Sequence, residues 1–424
     1  MTPMKRQSIG MLLALAACAA GAADMPGHDA LMERARGGDY GPALSVLRQQ
    51  PMQGRVLHDY IAVAGWAGQA GEVIKTYEAH GRGAQLPAYA LVQVARAYRD
   101  AQRWGEALAV SEEGARRFPQ DDAFALGAVM ALADAGRTDE ALPRARALVA
   151  QRPQDADRRL ALAYVQTARN QPFEALAETD RAHDLAPTRP YVKQEYILAL
   201  RRARLAGPAL REASAHPGVV DAALMRALQG DAAAELARLA GYPARGEAER
   251  FAIADRALAT YDRLLAQWNA EQPRPDADIR RLRIDRIAAL HARYRMDKVV
   301  SEYEALRDDG AGGFPDYALS DVASAYLYLR QPEKARELYE RVLASPASAG
   351  GAVRQGDESG LYYALIESED FEPATPMVAD MQARETPWLD TPGGSRRAPN
   401  ELRFAADTLA GNASLPAAAP QGEQ

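Results

Sequence analysis

The chain has 424 residues, of which 48% are hydrophobic, 25% charged and 7% aromatic. Five lysines (Lys5, Lys75, Lys193, Lys298, Lys334) leave arginine to carry nearly all the positive charge, and the formal net charge is −6. That mildly acidic balance argues against general nucleic-acid binding, which needs a basic footprint, while abundant Ala, Leu and Arg favour helix.

Residues 1–23 read as a secretory leader. Lys5 and Arg6 supply its charged start, and Ile9 to Ala17 form an apolar run too short to span a bilayer as a mature helix. Two processing readings stand side by side. Ala20-Gly21-Ala22 suits an ordinary signal peptidase, whereas Leu15-Ala16-Ala17-Cys18 fits a bacterial lipobox and makes Cys18 a possible lipidation site. Cys18 is the only cysteine, so the mature chain has no disulfide on either reading. No later segment approaches ~18 consecutive apolar residues. The expected destination is the periplasm or outer membrane.

Residues 24–218 carry a regular array. Glu72-Val73-Ile74, Glu106-Ala107-Leu108, Glu140-Ala141-Leu142, Glu174-Ala175-Leu176 and Pro208-Ala209-Leu210 recur every 34 residues, and Pro119, Pro153 and Pro187 keep the same interval. This is the tetratricopeptide pattern, with a small residue where helix A must approach helix B closely and a proline after helix B. An earlier unit is visible from Gly38-Asp39-Tyr40 to Ala43-Leu44. Residues 219–293 break the rhythm. Three longer amphipathic helices are expected there, near Val219–Leu239, Ala248–Trp268 and Ala277–Tyr294, separated by Gly241-Tyr242-Pro243 and Gln272-Pro273-Arg274-Pro275. Repeat units resume over 294–385, with Gln331-Pro332-Glu333-Lys334-Ala335 at one turn and Glu367 to Ala374 in a looser last unit. Residues 386–424 read as loop, truncated helix and disordered tail. The predicted fold is therefore all-α, a tetratricopeptide-repeat superhelical solenoid with an irregular long-helix segment in the middle.

Motifs for chemistry are scarce. The histidines His28, His58, His80, His183, His216 and His291 show no zinc-hydrolase spacing, and neither a phosphate-binding glycine loop nor a Gly-x-Ser-x-Gly elbow occurs. The adjacent carboxylates Asp121-Asp122 and Asp308-Asp309 fall at helix ends, where capping accounts for them. A non-enzymatic chain with no metal or cofactor is expected. In such arrays the binding surface is usually the concave face lined by the A helices. Counting back from each turn places Tyr89, Arg96, Arg99, Asp100, Asp134, Asp157 and Tyr164 there in the early units. Tyr317, Ser320, Ser324 and Tyr328 follow on one helical face, then Tyr363 and Glu367. Tyrosine rings, hydroxyls and a carboxylate suit a sugar, while the plainer reading of each residue is ordinary array lining.

Several stretches resemble one family. Ala248 to Tyr261, Val322-Ala323-Ser324-Ala325-Tyr326-Leu327 with Gln331 to Ala335, and Leu365-Ile366-Glu367-Ser368-Glu369-Asp370-Phe371 are similar to the periplasmic tetratricopeptide part of outer-membrane porins exporting poly-β-1,6-N-acetyl-D-glucosamine. Ala64-Gly65-Trp66-Ala67-Gly68-Gln69 and Ala131 to Gly136 are similar as well. The likeness runs in order from about residue 28 to 410, and its specific part is the non-repeating stretch. It implies an array, followed in the family by a β-barrel, that guides a partly de-N-acetylated polymer and recruits the periplasmic deacetylase lipoprotein. Such a glycan is cationic, and the net charge becomes −8 once Lys5 and Arg6 leave with the leader. No alternating strands of barrel type follow the array. The alternative is a lipid-anchored periplasmic scaffold binding only proteins.

Overall fold

The computed structural model describes residues 27–241, 246–307, 313–345 and 352–389. The expected leader, Cys18, Asp308-Asp309 and the terminal tail lie outside these residues. The chain divides into two compact units, Met1–Asp221 and Ala222–Gln424, and among the described residues every regular element is helical.

The first unit is a run of antiparallel helix pairs: α1 (His28–Arg36) with α2 (Tyr40–Arg48), α3 (Gly54–Trp66) with α4 (Ala70–Thr76), α5 (Ala88–Asp100) with α6 (Trp104–Arg117), α7 (Asp122–Asp134) with α8 (Thr138–Gln151), α9 (Ala156–Ala168) with α10 (Pro172–Leu185), and α11 (Pro190–Arg202) with α12 (Ala206–Ala215). The first helix of each pair is its A helix and the second its B helix. One turn design joins each A to its B. A left-handed residue stands at Gly38, Gly68, Gln102, Gly136, Asn170 and Arg204. The next N–H then bonds back to the A-helix carbonyl five residues earlier, as in Arg137 N to Leu132 O at 2.9 Å. The small residues fixing the A–B approach, Ala107, Ala141, Ala175 and Ala209, are fully or almost fully buried. Between pairs, Asp121 accepts from Ala123 N at 3.0 Å and caps α7, and Asp155 caps α9 in the same way.

The second unit comprises α13 (Ala222–Ala240), α14 (Glu247–Asn269), α15 (Asp276–Ala292), α16 (Met296–Arg307), α17 (Asp316–Tyr328), α18 (Pro332–Leu343), α19 (Ala352–Glu367) and α20 (Phe371–Leu389). Its long helices share one core with the repeats that follow. Tyr261, Leu264 and Trp268 of α14 join Leu282, Ile287 and Leu290 of α15, then Val299, Tyr303, Val322 and Tyr326. The stripe of Ile253, Ala257, Tyr261, Leu264 and Trp268 follows helical spacing, so burial of one face accounts for the length and position of α14. Arg226 ties α13 to α15 through Asp278 at 2.6 Å. Helix α15 also acts as the A helix of the next pair, with α16.

Three boundaries differ from expectation. Val219 lies in a loop after the left-handed Gly218, so α13 starts at Ala222. Tyr294 ends no helix: it is the left-handed turn residue after α15, with φ 58°. At the other end α20 continues through Leu389, past the loop expected from residue 386.

Candidate functional site

On α17, packing consumes Ala318, Leu319, Val322, Ala323, Ala325 and Tyr326. What remains forms one stripe: Tyr317, Ser320, Asp321, Ser324 and Tyr328, at helical spacing. The sequence-selected residues of this helix therefore share a face, and Asp321 stands among them. Tyr317 and Tyr328 are exposed, the serines half-buried. Each has partners on neighbouring elements. Tyr317 donates its hydroxyl proton to Asp285 of α15. Ser320 Oγ lies 3.2 Å from the Asp316 carbonyl and also reaches Asp357 of α19. Ser324 Oγ lies 2.9 Å from His291 Nε2, and the other ring nitrogen of His291 faces Asp321 at 3.4 Å. Of the two later candidates, Tyr363 is half-buried beside Tyr362, with ring centroids 5.5 Å apart. Glu367 is exposed and paired with Arg330.

Asp285, Asp321 and Asp357 stand 36 residues apart on three successive A helices. Burial pushes each of their carboxyls above the usual range. At Asp285 the Tyr317 hydroxyl and Arg281, 3.9 Å away, oppose that shift. At Asp321 only His291 opposes it, and Asp357 adds to it. Asp357 is 4% exposed, and its Oδ2 has no hydrogen-bond partner. The fully buried Tyr261 hydroxyl, beside Asp285 and Tyr317, also lacks one. Among the described residues, no arginine or lysine pairs with Asp321 or Asp357. In the last repeat the aspartate sits one turn earlier than in its neighbours. The equivalent position is Gly360, where a Cβ would lie 2.3 Å from the Tyr339 ring.

Asp321, His291 and Ser324 are ordered like a hydrolase triad. Ser324 lies mid-helix, where neighbouring N–H groups are committed to intrahelical bonds, so no oxyanion hole faces it. The arrangement serves as a hydrogen-bonded acidic surface. Among the described residues, no cluster of three or more His, Cys, Asp or Glu could hold a metal ion, and no helix is long and apolar enough to cross a membrane.

The early candidates are placed differently. Asp59, buried on α3, is matched by His28 at 2.8 Å, Arg55 at 3.4 Å and the Tyr89 hydroxyl at 2.9 Å. Asp134 pairs with Arg99 at 2.8 Å and accepts from Tyr164. Asp157 meets Arg189 at 3.3 Å and Tyr191. The Tyr191 hydroxyl is pushed up to about 12, mainly by burial. Arg96 and Asp100 lie one turn apart on α5. Burial lowers the guanidinium and raises the carboxyl, and each partly offsets the other. Asp59, Asp134 and Asp157 of the first unit are thus each met by an arginine within the unit. Sequence reasoning missed Asp285, Asp321, Asp357 and His291. In the sequence the three aspartates are marked only by their 36-residue interval, and His291 by nothing.

No protein-family model matches the chain. Over 376 residues it is 33% identical to proteins named Poly-beta-1,6-N-acetyl-D-glucosamine export protein in Escherichia coli K12 and in Escherichia coli O157:H7, covering 88% of this chain and 45% of each relative. It therefore spans under half the length of these curated relatives. Among solved structures, MamA from Desulfovibrio magneticus RS-1 is 17% identical, with 41% of this chain and 93% of that one covered and a TM-score of 0.29. The Cut9 and Hcn1 hetero-tetramer of the APC/C gives 11%, 86%, 66% and 0.40 in the same order. YrrB, described as a TPR protein with an unusual peptide-binding site, gives 16%, 47%, 90% and 0.29. The fold assignment rests on the helix pairs and turns described above: the chain is a tetratricopeptide-repeat protein.

Proposed function

This chain is a relative of poly-β-1,6-N-acetyl-D-glucosamine export proteins, and from that premise we propose that it is a periplasmic scaffold of exopolysaccharide export whose second unit binds the partly de-N-acetylated polymer. De-N-acetylated rings carry ammonium groups, which are compact cations with three donors each. One aspartate on each of α15, α17 and α19 offers acceptors at successive helices, spaced roughly 8–10 Å apart as packed helices are. Repeated acceptors suit a repeating polyamine better than a single cation. Each charge-assisted hydrogen bond contributes about 1.5–3 kcal/mol. An ammonium at Asp357 would complete a buried carboxylate that has one oxygen unpartnered. That pair, Asp321 and Asp357, which no arginine or lysine among the described residues meets, carries the reading.

The acidic balance supports it, since it favours encounter with a cationic polymer. The same reading includes recruitment of the periplasmic deacetylase, which supplies the amines. Calorimetric titration of the chain with β-1,6-linked glucosamine oligomers tests the glycan part. Affinity is expected to rise with the number of free amines and to weaken with salt. Absence of binding at low salt overturns it. Retention of the deacetylase on the immobilised chain tests the partner, and its passage unretained removes that element.

A further inference from the structure

An exposed aromatic cluster lies at the end of the α17 stripe. Tyr294 and Tyr328 are 53% and 62% exposed, with ring centroids 6.4 Å apart. Phe251 of α14 meets Tyr294 edge-on at 5.8 Å. Arg293 covers the Phe251 ring at 4.5 Å and is held by Asp255 at 2.9 Å. The shelf is therefore braced from behind while its outer rings face solvent.

Tyr294 is the informative residue. It occupies the left-handed turn position filled by glycine at Gly38, Gly68 and Gly136 and by unbranched polar residues at Gln102, Asn170, Arg204, Arg330 and Glu369, and it is the one ring among them. A bulky side chain is unfavoured there, and leaving its ring half in solvent recovers little by burial. The position of the shelf suggests its use. Tyr328 follows Ser324 by one turn and Asp321 by two, about 10 Å along the helix. Tyr294 follows His291, the Ser324 partner, by three residues. The shelf and the aspartates are thus two parts of one continuous surface, apolar at one end and acidic in the middle.

Resting on the polyamine reading above, we propose that Tyr294 and Tyr328 form a stacking subsite for an N-acetylated, uncharged pyranose, beside the aspartates that take de-N-acetylated rings. A ring whose amine is acetylated offers nothing to Asp321 but has an apolar C–H face and a methyl group. An aromatic plane accepts both without leaving a polar group unpaired. A polymer bearing both kinds of ring fits both parts at once. The surface therefore selects mixed acetylation over either uniform polymer.

The test uses the full chain and two β-1,6-linked hexamers, one fully de-N-acetylated and one acetylated on alternate rings. In the variant Tyr294→Gly/Tyr328→Ser, glycine keeps the left-handed turn and both changes lie at exposed positions, so folding is preserved. Wild type binds the mixed hexamer more tightly. The variant loses about tenfold on it, roughly 1.4 kcal/mol, while its affinity for the de-N-acetylated hexamer stays within about twofold. Tyr294→Phe/Tyr328→Phe keeps the mixed-hexamer affinity, and magnetisation transfer from protein to the acetyl methyl is present in wild type and lost in the first variant. Equal binding of both hexamers by that variant and wild type overturns the subsite and leaves the polyamine reading standing. A Phe variant as weak as the first also overturns stacking. Failure of wild type to bind either hexamer overturns both.

Discussion

The two units repeat the same helix pair and differ in how the charges of their A helices are balanced. Both use a tyrosine hydroxyl on one A helix to meet an aspartate on the preceding one: Tyr89 with Asp59 in the first unit, Tyr317 with Asp285 in the second. In the first unit a cation completes nearly every such rung, as Arg55, Arg99 and Arg189 do for Asp59, Asp134 and Asp157. In the second unit the Tyr317–Asp285 rung keeps a cation, Arg281 at 3.9 Å, whereas Asp321 and Asp357 are left to a histidine and a serine. The tyrosine–aspartate rung is therefore a device for stacking repeats. Whether it also presents charge depends on a separate choice of neighbour. Tyr317 belongs to the rung, while Tyr328 is free of that duty.

The contrast breaks most visibly at Arg158. Its guanidinium, 3% exposed, binds Asp122 through two bonds of 2.9 Å and the Leu148 carbonyl at 2.7 Å. Arg158→Ala leaves Asp122 to Arg152 at 3.1 Å and the Leu148 carbonyl to the Arg152 N–H at 3.3 Å. Up to about 3 kcal/mol of stability is expected to be lost from the first unit with the charged hydrogen bonds. Urea unfolding reads that loss, while glycan affinity of the second unit stays unchanged. An equal loss of glycan affinity would show that the units do not separate structure from binding in this way.

Asp321→Asn/Asp357→Asn is the reciprocal change. Removing the buried Asp357 carboxylate and the half-buried Asp321 one, neither met by an arginine or lysine among the described residues, leaves the unliganded unit at least as stable. Affinity for de-N-acetylated oligomers falls by about 1.5–3 kcal/mol. Asp134→Asn in the first unit gives the opposite pattern, with weakened folding and unchanged affinity. Calorimetry and thermal melting on the same samples check both.

The pH dependence sharpens the point. Folding raises the carboxyl values of Asp285, Asp321 and Asp357 through burial. The folded state thus binds protons more readily than the unfolded one. Their stabilising contribution is full below the unfolded aspartate value of about 3.9 and is lost as pH rises through the raised folded values. Polyamine affinity runs the other way, growing as these groups ionise. Denaturation between pH 4 and 7, flanking that range, should show a fall in stability of the second unit that the double Asn variant flattens. An unchanged slope would remove these residues as its source.

The smallest effect is at the turn. Tyr294→Gly relieves a left-handed tyrosine and is expected to raise the melting stability by about 1 kcal/mol, whereas Gly136→Tyr in the first unit lowers it by a similar amount.

Much of the fold was legible because it rests on local rules. The alanines at Ala107, Ala141 and Ala175, the prolines after the B helices and the turn residues each act within one repeat. The long α14 was legible from its apolar stripe alone. The site was less so. Tyr317, Ser320, Ser324 and Tyr328 could be placed on one face by counting. What their neighbours do is decided between residues about 30 to 37 apart on different helices: Tyr317 on Asp285, Arg330 on Glu367, Arg99 on Asp134. Composition gives the balance of charge but not which acid keeps its charge to itself. The Tyr294 conformation was hidden too, because a helical pattern running through Tyr294 does not show where the turn residue falls.

The central claim is that the second unit, and not the first, presents acceptors to a cationic glycan. Hydrogen exchange with and without a de-N-acetylated β-1,6-glucosamine hexamer tests it directly. Slowed exchange is expected over α15, α17 and α19, with no change over α3, α5, α7, α9 and α11. Protection on the first unit's A helices, or an equal change on both units, contradicts the account.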